Sequence, residues 1–141
     1  MMASSSLERS TSVSRLCKEI LSSDEHIYFV TSLNKNGKAI EHHFRNDRIF
    51  TKMSAQETEM FFMQRTLQAS LSMEFDDLLG PLDFITLQRT TLLEFIFPYS
   101  QGAILVLSDL DVVSRYLAKK IFLLFKILIG KYMIYFMYNA R

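Results

Sequence analysis

The sequence predicts an α+β domain in which helices pack on a five-stranded antiparallel sheet. Three observations carry that expectation. Asn36-Gly37 joins two strand-like runs, three further strand-like runs follow one another between Leu82 and Ser108, and stretches with a helical apolar period stand before, between and after them. The order is helix, hairpin, helix, three-strand meander, helix. At 141 residues the chain has room for one domain with a substantial core.

The first helix is expected over about residues 10–21, with Val13, Leu16, Cys17, Ile20 and Leu21 on one side. Residues 1–12 are Ser-rich and polar and are expected to form a flexible lead. No apolar run of secretory length occurs there, so export by that route is not expected. From His26 the residues turn β-branched and aromatic, Ile27-Tyr28-Phe29-Val30-Thr31-Ser32-Leu33, until Asn34-Lys35-Asn36-Gly37 interrupts them. Asn and Gly tolerate the positive φ of a tight turn, which makes this the strongest hairpin signal in the chain. The return strand, about residues 38–45, places Ile40, His42 and Phe44 on one face and Glu41, His43 and Arg45 on the other.

A long helix is expected from Ser54 to Leu79. Ser54 and Glu57 have capping-box spacing, and Gly80-Pro81 is a stop. Met60, Met63, Leu67, Leu71, Phe75 and Leu78 form one apolar stripe, expected to face the sheet. Phe62, Ala69 and Met73, with Thr66, form a second stripe roughly opposite. One sheet needs only one stripe, so the second implies a further layer or a second copy of the chain. Strands then follow at about 82–88, 92–97 and 103–108. The last, Ala103-Ile104-Leu105-Val106-Leu107, is apolar on both faces and is expected at the sheet centre. A final helix begins near Asp109 or Asp111, with Val113, Leu117, Ile121, Leu124 and Leu128 along one side.

Composition excludes several functions. Net charge is +1, too small for a general nucleic-acid binder, so no nucleic acid is expected as a partner. A lone cysteine, Cys17, allows no internal disulfide and suits a reducing, cytoplasmic setting. His42 and His43 are neighbours on a strand and point to opposite faces, so no metal site is expected from His26, His42 and His43. Cys17 with His26 lacks any nucleophile signature, and Asp76-Asp77 diverge on a helix and form no acid/base pair. Gly37, Gly80, Gly102 and Gly130 are isolated, so no phosphate-binding loop exists. No catalytic residue, cofactor or metal is assigned, and the chain is not expected to be an enzyme.

The element order, together with Met73-Glu74-Phe75-Asp76-Asp77-Leu78-Leu79-Gly80-Pro81, Phe84-Ile85 and Arg89, resembles the roadblock dynein-light-chain family of profilin-like folds. Within it the chain is similar to small uncharacterised roadblock-like proteins of ammonia-oxidising archaea. The resemblance covers about residues 13–121. It implies a homodimer built on the long helices and third strands, which would place Phe62, Thr66, Ala69, Met73, Phe84 and Thr86 at the interface. It also implies a scaffold or regulatory adaptor, with a small Ras-like GTPase as the partner class.

Residues 13–120 are accordingly expected to form the domain and residues 121–141 a helical extension. From Arg115 onward there are six basic residues and no acidic one. Ile121 to Tyr138 approaches the length of a membrane span, but Lys126 and Lys131 lie inside it, each costing about 2.5–3.5 kcal/mol at the bilayer centre. The alternative function is therefore a peripheral protein on the inner face of the membrane. Its candidate contacts, with membrane or partner, are Phe122, Phe125, Lys126, Ile129, Lys131 and Tyr132.

Overall fold

The structure is a computed structural model that describes residues 2–46 and 49–139, with side chains described over 12–46 and 49–129. Helix α1 (Met2–Ser23) leads into strands β1 (Ile27–Asn34) and β2 (Ala39–Phe44). Helix α2 (Ala55–Met73) and the short α3 (Asp76–Leu79) follow, then β3 (Ile85–Gln88), β4 (Leu93–Tyr99), β5 (Gly102–Ser108) and helix α4 (Ser114–Asn139). The five strands form one antiparallel sheet in the order β2-β1-β5-β4-β3, so β5 is central as its double-sided apolarity requires.

Strand alternation divides the core into two layers. Val30, Leu93, Phe95, Phe97, Ile104 and Val106 meet Leu16, Cys17 and Ile20 of α1 and Leu117, Ala118, Ile121, Phe125 and Ile129 of α4. On the opposite face Tyr28, Phe29, Leu33, Ile96, Ala103, Leu105 and Leu107 meet Phe62 and Ala69 of α2. The sheet is thus sandwiched, α1 and α4 on one side and α2 on the other. Charged groups finish α1: the Arg45 guanidinium donates to the carbonyl of Leu21, as well as to that of Ile27 at the start of β1, and Lys120 Nζ donates to Ser23 O at 2.6 Å. Cations there satisfy carbonyls that a helix end leaves without partners.

The elements differ from expectation in four places. Helix α1 begins at Met2, so residues 2–12 continue the helix backbone instead of forming a separate lead. The hairpin turn uses positive φ only at Gly37 (+79°), and the Asn34 side chain accepts from the N–H groups of Asn36 and Lys38. Helix α2 stops at Met73, and Asp76 and Asp77 begin a new turn. Asp76 accepts from the N–H of Leu82 at 3.1 Å and closes the Gly80-Pro81 corner. Finally, α4 starts at Ser114, later than expected, and continues unbroken through 121; Val113 precedes the helix, exposed.

Candidate functional site

Helix α2 is fixed at its start by the expected capping box. Ser54 Oγ accepts from Glu57 N–H at 3.0 Å, and Ser54 N–H donates to Glu57 Oε1 at 3.1 Å. The residues it turns to the sheet are Phe62, Arg65, Thr66 and Ala69, an i, i+3, i+4, i+7 row. Phe62 stacks parallel to Phe29 with centroids 6.2 Å apart. Arg65 brings a charge into this layer, where Glu94 of β4, fully buried, meets it. Arg65 Nε and Nη2 donate to the two Glu94 oxygens at 2.8 and 3.3 Å, and Arg89 Nε donates to Oε2 at 2.7 Å. The carboxylate is held between two guanidinium groups, and the pairing sets the register of α2 over the sheet.

Seating α2 this way turns its larger apolar stripe outward. Met60, Met63, Leu67 and Leu71 are 51 to 57% exposed, and Phe75, Leu78 and Leu79 continue the exposed row across the break into α3. The β1–β2 turn leans on the row: a Cβ on Gly37 would lie 2.7 Å from Met63 Cα, a contact only glycine permits. Between turn and helix runs a shallow groove of about 560 Å³, lined by Lys35, Asn36, Met60, Met63, Leu67 and Ser70. A continuous exposed apolar row rimmed by polar residues is the kind of surface that marks an interaction site. At the sheet edge β3 pairs only with β4, leaving its outer backbone groups without a strand partner among the described residues.

No family model matches the chain, and comparison with curated proteins by sequence gives no match. Comparison of structures does. A roadblock/LC7 domain from Streptomyces avermitilis superposes with a TM-score of 0.62 at 14% identity, covering 84% of this chain and 95% of that one. MglB of Myxococcus xanthus gives 0.61 at 13% identity, covering 86% and 90%. The gliding protein MglB of Thermus thermophilus gives 0.55 at 11% identity, covering 79% and 84%. The fold is roadblock-like.

Within this roadblock-like fold the two faces of α2 are the reverse of the expected ones. Phe62, Thr66 and Ala69 pack against the chain's own sheet, so they are not available to a second copy, and Met73 is half-buried beside them. The stripe expected in the core, Met60 to Leu78, is the outward one. Periodicity sorts residues onto faces but does not say which face meets the sheet, and Arg65 disguised the buried face as a polar one. The available signal was Glu94, an acid in the middle of the apolar run Leu92 to Phe97, whose buried position demands a cation opposite. Phe84 is likewise no α2-side contact: it packs on Phe97 and Phe122 in the α4 layer. Thr86 is exposed on β3.

The aromatic residues of the final helix are also reassigned. Phe125 and Ile129 are core residues, and half-buried Phe122 packs on Phe84, Phe97 and Phe125. Lys126 is exposed, with its ammonium 4.9 Å from the Phe122 ring centroid. The side chains of Lys131 and Tyr132 lie outside the described residues. Among the described residues no helix is long and apolar enough to cross a membrane.

The titratable groups play structural parts. Burial pushes the Cys17 thiol up to about 12, with Glu41 adding to the effect, which leaves it a protonated core group. The His26 pKa is raised, chiefly by the ring's hydrogen bond to Asp24 Oδ1 at 2.7 Å. Burial disfavours the charge on Asp24, but hydrogen bonds from the His26 backbone and ring outweigh it and lower its pKa. Glu41 accepts from Ser14 Oγ and pairs with His43 Nε2 on the α1 side, while His42 lies beside Phe44 on the other face. Among the described residues no group of His, Cys, Asp or Glu side chains is arranged to hold a metal ion.

Proposed function

We propose that the chain is a non-enzymatic scaffold or regulatory adaptor that works as a homodimer and serves as a platform for a small Ras-like GTPase. The observation that carries this reading is the outward row on α2 and α3, Met60, Met63, Leu67, Leu71, Phe75 and Leu78, which is large, apolar and continuous yet uncovered in the single chain. Two copies related by a two-fold axis cover it by packing row on row. The likeness to MglB supports an assembling protein, since one MglB structure, superposing at a TM-score of 0.55 with 9% identity, is described as having a tetrameric arrangement.

Light scattering on the size-exclusion peak tests the assembly directly. Two protomers per particle are expected at micromolar concentration, and a strict monomer rejects the reading. The platform role is tested by titrating the intact chain with a Ras-like GTPase loaded with GDP or with a non-hydrolysable GTP analogue. Binding that depends on the nucleotide supports it, and no binding in either state removes the GTPase from the proposal while leaving the dimer to stand on its own measurement.

A further inference from the structure

Helix α4 presents a second uncovered row, on the far side of the molecule from α2. Tyr116, Leu123 and Ile127 are 67, 61 and 52% exposed, and Val113 lies just ahead of them. At 100° per residue Tyr116, Leu123 and Ile127 fall within about 40° of one another, directly opposite the buried side that holds Ile121 and Phe125. Arg115, Lys119 and Lys126, all exposed, follow one flank of this row, and Lys120 lies on the other with its ammonium turned to Ser23 O. The helix has no acidic residue along its length, and no carboxylate pairs with Arg115, Lys119 or Lys126 among the described residues. On the neighbouring α1, Lys18 is exposed and Glu19 is engaged by Arg15 at 2.9 Å. The acids nearest in sequence, Asp109 and Asp111, precede the helix, at the end away from Leu123 and Ile127.

We propose that this outer face of α4 docks on an anionic lipid surface, the helix lying in the plane of the membrane with Tyr116, Leu123 and Ile127 in the headgroup–acyl boundary and Arg115, Lys119 and Lys126 at the lipid phosphates. An apolar row with basic flanks is the arrangement that such interfacial helices use. Cations without a carboxylate partner, Lys126 resting only on the Phe122 ring, favour anionic lipid over a neutral surface, and over a second copy of this face, which would set like charges against each other. The sheet separates α4 from α2, so the face stays open whether or not α2 is covered, and the proposal is independent of the dimer.

Vesicle flotation of the intact chain provides the test, with phosphatidylcholine vesicles with and without phosphatidylserine. Binding is expected only with phosphatidylserine and should weaken as salt is raised. Lys119→Gln with Lys126→Gln should lower the partition coefficient about 30-fold, from about five-fold per cation near an anionic surface. Leu123→Ser with Ile127→Ser should also release the protein, while circular dichroism shows the fold retained because both side chains are already exposed. Equal binding to neutral vesicles, no binding to either, or binding indifferent to both double variants would overturn the proposal. So would a change of particle mass in Leu123→Ser/Ile127→Ser without vesicle binding by the parent chain, which would identify the face as a contact between copies.

Discussion

The reversal of the α2 faces makes a sharp prediction about two residues on one helix. Phe62 is 7% exposed and stacks on Phe29, whereas Leu67 is 57% exposed on the outer row. Phe62→Ala removes a core ring and should cost about 3–5 kcal/mol of folding stability, a drop in thermal midpoint of roughly 10 °C for a domain of this size. Leu67→Glu should leave the folding of the single chain nearly unchanged, because its side chain is already half in water, so any fall in midpoint should come through loss of the dimer and depend on protein concentration. Its effect belongs to association. Full burial of a leucine is worth about 1.5–3 kcal/mol, so covering the exposed half gives about 1–1.5 kcal/mol, and two-fold symmetry counts it twice. With an unpaired carboxylate buried in place of each leucine, the dimer should weaken by more than about 3 kcal/mol, over 100-fold in dissociation constant. Thermal unfolding and sedimentation velocity on the two variants separate these effects. If Leu67→Glu lowered the midpoint as far as Phe62→Ala while particle mass stayed unchanged, the outer row would be a core face and the reasoning would fail.

Three further outcomes follow from the ion pairs and the buried thiol. Glu94→Ala should destabilise by about 3–5 kcal/mol in denaturant titration because it strands the Arg65 guanidinium in the core, and Arg65→Met with Glu94→Leu should recover most of that loss; additive single effects would show the pair is not coupled. Cys17 should resist a disulfide-exchange reagent at pH 8 while the protein is folded and react on unfolding, since a thiol pushed up to about 12 is thiolate in only about one molecule in ten thousand at that pH. Because the folded His26 pKa is raised, its pairing with Asp24 stabilises the fold fully below the unfolded histidine value and loses that contribution as pH rises through the folded value. An NMR titration of Asp24→Asn should therefore show His26 falling toward the ordinary histidine range, and an unmoved midpoint would remove Asp24 as the cause.

Local chemistry was legible wherever a residue acts on its own neighbours. The Asn34 to Gly37 turn, the Ser54–Glu57 box, the Gly80-Pro81 corner and the alternation of Ile40 to Arg45 depend on contacts a few residues apart, and each is present. Element ends were less legible. Helix α1 extends to Met2 against a polar composition, and α2 breaks before Phe75 although the apolar period runs through to Leu78.

From the sequence by itself came the element order, the central place of β5 and the apolar members of the two α2 stripes, because strand and helix periods are properties of the backbone. Only the tertiary structure decided which stripe of α2 is inside and which side of α4 is out. A buried Arg65 is tolerable only because Glu94, on a strand distant in sequence, lies opposite it, and Phe125 is a core residue, with half-buried Phe122 beside it, only because Phe84 and Phe97 come beneath them. Each of those contacts joins residues far apart in the chain. A periodicity contains no information about such pairs, and here they determine which surfaces remain for partners.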